Sequence, residues 1–314
     1  MTSHRSRSLR FTSHILGEYT QGKPGPLTIC VGGMHGNEPA SIYALSKVLE
    51  TLERKQPDFA GKWIGLVGNT KALEEGKRYI ERDLNRLWTP EQISDLRLGR
   101  CNLNIPEHRE QKELLELFDK LFEEASGPIH VVDMHTSSSE SAPFGVLEDH
   151  VNSLGFAKHF PIPLILGIEN YIQGSLVGYL KRRKCITLGF EAGQHHAPNS
   201  LDYHEAFVWT ALFTAGNLQR DGIQLENNAQ DILYKAGETL PSALEICYRH
   251  VLQPENQFVM KPGFLNFQTV HKGQKLATDE NGPVLSPYDG KIFLPLYQGK
   301  GSDGFFICRE YIES

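Results

Sequence analysis

Five short apolar runs, each too short to be a helix and each closed by a polar turn, restrict this chain to a small set of folds. Leu27–Gly32 reads Leu-Thr-Ile-Cys-Val-Gly, and residues 63–67, 129–134, 163–168 and 186–190 repeat that texture. Runs of this length bounded by Gly, Pro and polar residues fit strands buried on both faces. Longer stretches of a different period lie between and after them. Ala40, Tyr43, Ala44, Val48, Leu49 and Leu52 recur at helical spacing within 39–54, and residues 202–217 form a further helical stretch. Residues 106–125 are the clearest helix, with Leu114, Leu115, Phe118, Leu121 and Phe122 on one side and Lys and Glu on the other. Strands alternating with helices predict an α/β fold, an open and mainly parallel sheet covered on both faces.

The texture changes after residue 219. From Phe258 onward the apolar runs are brief and punctuated by Pro262-Gly263, Lys272-Gly273, Asn281-Gly282 and Asp289-Gly290. Turn residues at that density predict a smaller all-β domain, so the expected division is 1–220 and 221–314. Residues 270–295 resemble a lipoyl- or biotinyl-type β-sandwich but lack the lysine hairpin such carriers modify, which argues against carrier function. A net charge of −6 argues against a general nucleic-acid or anionic-membrane surface. The first residues are polar and no stretch is long and apolar enough to span a bilayer. The five cysteines, at 30, 101, 185, 247 and 308, are scattered and odd in number, which suits reduced thiols in the cytoplasm.

Ligands of open parallel sheets gather beyond the carboxyl ends of the strands. His35 and Glu38 follow the first run, His135 ends the third, and Glu191 ends the last. Two imidazoles and one carboxylate form a zinc ligand set that leaves a position open for water or substrate. Glu191 is then a free carboxylate beside that water, able to take its proton. His-x-x-Glu alone is a common accident, but Gly32, Gly33 and Gly36 around it permit the tight turn and close backbone approach a metal site needs. Asp133 either orients a ligand imidazole or caps the strand end. Ser137, Ser138 and Ser139 lack the context of a serine nucleophile and read as hydrogen-bond donors lining the site. His195, His196 and His204 read as a solvent-facing loop and helix start in preference to a second metal site.

Residues 77–86, Lys-Arg-Tyr-Ile-Glu-Arg-Asp-Leu-Asn-Arg, interleave four basic side chains with Tyr79, Ile80 and Leu84, which suggests partial burial. Arginine suits bidentate grip of a carboxylate and stabilisation of an oxyanion. The ordered motifs His-Gly-Asn-Glu, Arg-Tyr-Ile-x-x-Asp-Leu-Asn-Arg, Asp-Met-His-Thr and Gly-Phe-Glu-Ala-Gly resemble the succinylglutamate desuccinylase/aspartoacylase family of zinc-carboxypeptidase-like amidohydrolases. The motif-bearing resemblance covers about residues 27–220, and the C-terminal β region fits the same layout. It implies one Zn2+ per chain on His35, Glu38 and His135, with Glu191 as general base and later proton donor. It further implies that Arg78 stabilises the oxyanion, that Asn85 and Arg86 hold the substrate's α-carboxylate, and that Asp83 steadies the loop. The chain departs from the pattern at Asn69-Thr70-Lys71-Ala72, where relatives carry Asn-Pro-Arg-Ala. Ten positions before Glu191, where aspartoacylase grips a further substrate carboxylate with arginine, stands Lys181, followed by Arg182 and Arg183. Gly304-Phe305-Phe306 offers no match to the tyrosine that the aspartoacylase C-terminal domain places in its site. The expected activity is zinc-dependent cleavage of an N-acyl amino acid or related small amide. A metallocarboxypeptidase or a non-catalytic binding protein on the same fold are the rivals. The expected partner is the small-molecule substrate, with no nucleic acid and no membrane; a homo-oligomer is compatible with this class.

Overall fold

The computed structural model describes residues 11–148, 153–225, 227–252, 257–298 and 302–311. In chain order the first half carries β1 (Ile15–Thr20), β2 (Leu27–Gly32), α1 (Ala40–Lys55), β3 (Lys62–Val67), α2 (Thr70–Glu75), α3 (Pro90–Arg97), α4 (Pro106–Glu124) and β4 (Ile129–Ser137). Next come β5 (Phe144–Leu147), α5 (Leu154–Ala157), β6 (Leu164–Leu166), α6 (Leu176–Arg182), β7 (Ile186–Gln194), α7 (Ser200–Ala215) and α8 (Ala229–Gly237). The remainder is β8 (Ala243–Val251), β9 (Val259–Met260), β10 (Thr269–Val270), β11 (Lys275–Asp279), β12 (Gly282–Leu285), β13 (Gly290–Phe293) and β14 (Asp303–Glu310). The apolar runs thus lie on β2, β3, β4, β6 and β7, while β1 and β5 lack a comparable run.

One sheet of eleven strands runs β1-β3-β2-β4-β7-β5-β6-β8-β14-β13-β10. Its centre, β3-β2-β4-β7, is parallel throughout, and antiparallel pairs flank it. Alternation along each central strand divides the side chains between two cores. Cys30, Val132, Met134, Leu188 and Phe190 face Leu45 and Val48 of α1 and Phe207 and Ala211 of α7. Ile29, Val31 and Val131 face the other way, onto Leu96 of α3, Leu114 and Phe118 of α4 and Leu180 of α6. Both faces are covered, which is why these strands read as continuous apolar runs.

The chain does not break its hydrogen bonding near residue 220. β8 pairs in parallel with β6, and β14, β13 and β10 continue the same sheet. Among the described residues, only β12, β11 and β9 form a separate small sheet. Among the described residues, no helix is long and apolar enough to cross a membrane.

The turn after β2 is fixed by close backbone contact. A Cβ on Gly36 would sit 2.0 Å from the Ala72 carbonyl carbon and 2.3 Å from the Leu73 nitrogen. Those atoms belong to α2, which cannot easily move: Asn69 caps it, and Glu110 accepts from the N–H groups of Thr70 and Lys71. Gly36→Ala should therefore destabilise the fold by about 1–3 kcal/mol. Gly155 has open space around its Cβ position, and Gly155→Ala should stay within about 0.5 kcal/mol of the parent. Urea unfolding of the two variants checks the contrast, and equal stabilities would contradict it.

Candidate metal centre and its pocket

Strand order reverses at β2, with β3 on one side and β4 on the other, and a crevice opens beyond their carboxyl ends. Gly33, with φ of +65°, turns the chain out of β2. His35 and Glu38 occupy the turn before α1, while β4 carries Asp133 and His135 on one face. Glu191 stands beside His135 in the β4–β7 register.

Glu38 lies between the two imidazoles. Its Oε1 is 3.0 Å from His35 Nδ1, its Oε2 is 3.1 Å from His135 Nδ1, and Oε2 also accepts the Thr136 N–H at 2.9 Å. Ligand atoms of His35, Glu38 and His135 all fall within 4.8 Å of one another, the only such cluster among the described residues. The outer nitrogens face carboxylates: His35 Nε2 is 3.1 Å from Asp83 Oδ1, and His135 Nε2 is 3.0 Å from Asp133 Oδ2. A carboxylate on the outer nitrogen fixes an imidazole with its inner nitrogen presented as donor, the arrangement metal-binding histidines use. The donor set and its surroundings therefore fit a divalent metal such as zinc. Of the two roles open to Asp133, orienting the imidazole is the one its geometry serves.

Charge in the site follows from proximity. Burial works to raise the Glu38 carboxyl, but His35 and His135 beside it outweigh burial and hold it well below the usual carboxylate range. Asp83 is likewise held low, because His35, Arg86 and Arg78 overcome its burial. Glu191 differs. Burial pushes its carboxyl up to about 8 against the pull of His135 and Arg78, with Glu38 adding to the rise. Its Oε2 is buried without a hydrogen-bond partner.

The basic loop frames the same space. Arg78 Nη2 donates to Asp83 Oδ2 at 3.2 Å, and Nη1 lies 3.6 Å from Glu38 Oε1. Arg86 donates to the Asn85 carbonyl at 2.7 Å, and Asn85 Oδ1 accepts the Leu176 N–H at 2.8 Å. Glu107, fully buried at the start of α4, accepts from the N–H groups of Ile80, Glu81 and Arg82 and so holds the loop from behind. The three metal-donor side chains, both arginines, Asn85 and Glu191 line one pocket of about 180 Å³. Its far wall comes from the C-terminal region through Leu294, Leu296, Gln298, Ser302, Asp303 and Phe306.

Several expected residues sit elsewhere or do more than expected. Ser137 and Ser138 do line the pocket, but the Ser137 hydroxyl is spent on the Ser139 carbonyl. None of the three basic residues ahead of β7 reaches the pocket. Lys181 donates to the Glu148 carbonyl, Arg182 to the Trp88 carbonyl, and Arg183 to Asp119 and the Tyr179 hydroxyl. Of the histidines read as solvent-facing, only His196 is exposed. His195 is half-buried in the pocket lining, with Nδ1 2.8 Å from Thr136 Oγ1. His204 is fully buried against Phe190, and burial drives its pKa down to about 3. Phe306 lines the pocket where the resemblance placed a tyrosine. Glu107 and Glu148 escaped the sequence reading, although simple signals existed. Extending the Leu114–Phe118–Leu121 stripe back along α4 reaches Gln111 and Glu107, and extending the Phe144–Val146 alternation reaches Glu148.

Residues 24–212, more than half of the chain, match the family model of the succinylglutamate desuccinylase/aspartoacylase catalytic domain. A succinylglutamate desuccinylase of Pseudomonas fluorescens is 34% identical over 106 residues, 33% of this chain and 29% of that protein. A probable aspartoacylase of Prochlorococcus marinus is 22% identical over 282 residues, covering 87% of this chain and 88% of the relative. The chain spans less than half the length of the first curated relatives it matches. Among solved structures, the succinylglutamate desuccinylase of Vibrio cholerae superposes with a TM-score of 0.66 at 15% identity, covering 92% of this chain and 82% of that one. A Rhodobacter sphaeroides succinylglutamate desuccinylase/aspartoacylase gives 0.64 at 18% identity, with 92% and 87% covered. By its catalytic-domain match, the chain belongs to the succinylglutamate desuccinylase/aspartoacylase family.

Proposed function

We propose that this chain is a zinc-dependent hydrolase that cleaves the amide bond of an N-acyl amino acid or a related small amide. One observation carries the reading: three metal-donor side chains converge within 4.8 Å, in a pocket shared with the buried, unpartnered Oε2 of Glu191. The desuccinylase and aspartoacylase names of the relatives are deacylase names and favour the same reaction class. Zinc held by His35, Glu38 and His135 would supply Lewis acidity to the scissile carbonyl and to the attacking water. Glu191 takes the proton of that water and hands it to the leaving nitrogen. Arg78 donates to the oxyanion that develops on the carbonyl oxygen, and Asp83 keeps its guanidinium aimed at the site. Asn85 and Arg86 hold the α-carboxylate of the substrate.

A metallocarboxypeptidase needs room for a peptide chain beyond the scissile bond. Leu296, Gln298 and Phe306 of the C-terminal region help wall a pocket of about 180 Å³, a size that favours a small amide. A non-catalytic binding role leaves Glu191 and Arg78 beside the cluster without a task.

The protein should bind about one zinc per chain, and His35→Ala, Glu38→Ala and His135→Ala should each lose most of it by elemental analysis. Glu191→Gln removes the proton acceptor but no ligand, so zinc should remain while kcat on N-acyl amino acids falls on the order of 10²–10⁴-fold. Loss of zinc together with activity in that variant would make Glu191 a ligand and overturn its assignment.

The two arginines separate in steady-state kinetics. Arg86 meets a carboxylate present before and during reaction, so Arg86→Ala should chiefly raise KM. Arg78 meets charge that exists only in the transition state, and Arg78→Ala should lower kcat by about 10²–10³-fold. Amidating the α-carboxylate should reproduce the Arg86 effect and add little to it. Full additivity of the two changes would remove Arg86 from that role.

A further inference from the structure

The pocket extends past the metal cluster along one face of the sheet. His135 pairs with Glu191 and Asp133 with Gly189 across β4 and β7, and Gly189 pairs with Val146 across β7 and β5. Strand alternation carries this row on to Glu148, the residue after β5. Gly189 keeps the passage open, since a Cβ there would lie 3.2 Å from Val146 Cβ and 3.8 Å from Val177 Cγ2. Val146, Val177, Ile168 and Ile172 make this part of the lining aliphatic, and Glu148 is its charged end.

We propose that Glu148 is the specificity-determining residue of this pocket, selecting substrates that carry an amine remote from the scissile amide: N-acyl derivatives of a diamino acid. The proposal rests on the deacylase reading above.

The Glu148 carboxylate is 6% exposed and held in place. Its Oε1 accepts from the Ser175 hydroxyl at 2.8 Å, and that hydroxyl accepts the Gly178 N–H at the start of α6. Gly178 leaves space for the second oxygen, as a Cβ there would sit 2.8 Å from Oε2. No cation among the described residues comes within ion-pair distance of this carboxylate. Lys181 donates its ammonium to the Glu148 carbonyl oxygen instead. Burial, with the negative charges of Glu169 and Asp133, raises the Glu148 carboxyl against the pull of the Ser175 hydroxyl and the Lys181 ammonium. A buried carboxylate without a cation in direct ion-pair contact is costly and is relieved by one that fits. A substrate methylene chain suits the aliphatic lining, and its terminal ammonium completes the ion pair. A second carboxylate at the same place meets like charge.

The test measures kcat/KM of the zinc-loaded full chain on acetylated lysine, ornithine and shorter diamino acids. Neutral isosteres such as acetyl-norleucine and the acidic acetyl-glutamate and acetyl-aspartate complete the panel. The best basic substrate should exceed its neutral isostere by at least roughly tenfold, and acidic substrates should rank last. Glu148→Gln should collapse the basic-to-neutral ratio toward one, and Glu148→Lys should shift preference toward acidic substrates. Preference of the parent for acidic substrates, or a ratio unmoved by Glu148→Gln, overturns the role of Glu148. If no member of the panel is hydrolysed, the deacylase reading fails separately. Calorimetric titration of the parent and Glu148→Gln with free ornithine, lysine and glutamate then still decides, because only a recognition residue loses diamino-acid binding on that change.

Discussion

Glu38 is a carboxylate at 1% exposure, and the ends of β2 and β4 are organised around its charge. Burial alone would neutralise such a group. His35, His135, the Thr136 N–H and the Arg78 guanidinium at 3.6 Å reverse that tendency and hold it ionised. The contacts close on themselves: Glu38 meets His35, His35 meets Asp83, Asp83 meets Arg78, and Arg78 returns to Glu38. This ring joins the turn after β2 to a loop nearly fifty residues away, so ligand geometry and placement of the basic loop are one problem. Removing a single charge from such a ring leaves its neighbours buried without a partner, a larger loss than the contact itself.

The ring is backed by α4. Glu107 receives three successive backbone N–H groups of the loop, and Glu110 receives two from the start of α2. Both carboxylates lie in the first turn and a half of α4, where the positive end of the helix favours negative charge. Helix and loop therefore exchange stabilisation. The loop can hold two arginines beside a metal-donor cluster because its backbone is satisfied from behind and its side chains are left for the pocket.

Much of this was legible in the residues. The strands that place His35, Glu38, His135 and Glu191 are buried on both faces, and double-sided burial leaves an unbroken apolar run that a sequence displays directly. β1 and β5 hid because a flanking strand needs no such run; β1 reads Ile-Leu-Gly-Glu-Tyr-Thr with only Tyr19 buried. The expected boundary near residue 220 came from turn density, a local property, whereas the β6–β8 pairing that carries the sheet across it is a non-local one. The basic triplet at 181–183 looked like a substrate grip by its count from Glu191. Its three side chains instead satisfy carbonyl oxygens, Asp119 and Tyr179 around α6. Count along a chain fixes which residue is present, but a helix of seven residues decides where each side chain points.

Alternation in the central strands also separates the polar lining of the pocket from the apolar core. Met134, Leu188 and Phe190 are packed in the core beneath α1 and α7, so along the regular part of β4 and β7, before the irregularity at His135–Ser137, the polar residues that serve the pocket fall on the opposite face. Asp133, His135, Gly189 and Glu191 all do, and a slip of one residue in the β4–β7 register would bury them in the apolar layer. The residues nearest the strand ends meet the candidate metal centre and are locked by the charge ring. Val146 of β5, which pairs antiparallel to β7, and Glu148 just past the end of β5 lie farther along the same face and outside the ring. Substitutions there leave the ligand geometry standing, because none of the contacts that fix His35, Glu38 and His135 passes through β5. On the proposed reading, this division would let one scaffold keep a single set of reacting groups while the far end of its pocket accepts a different side chain.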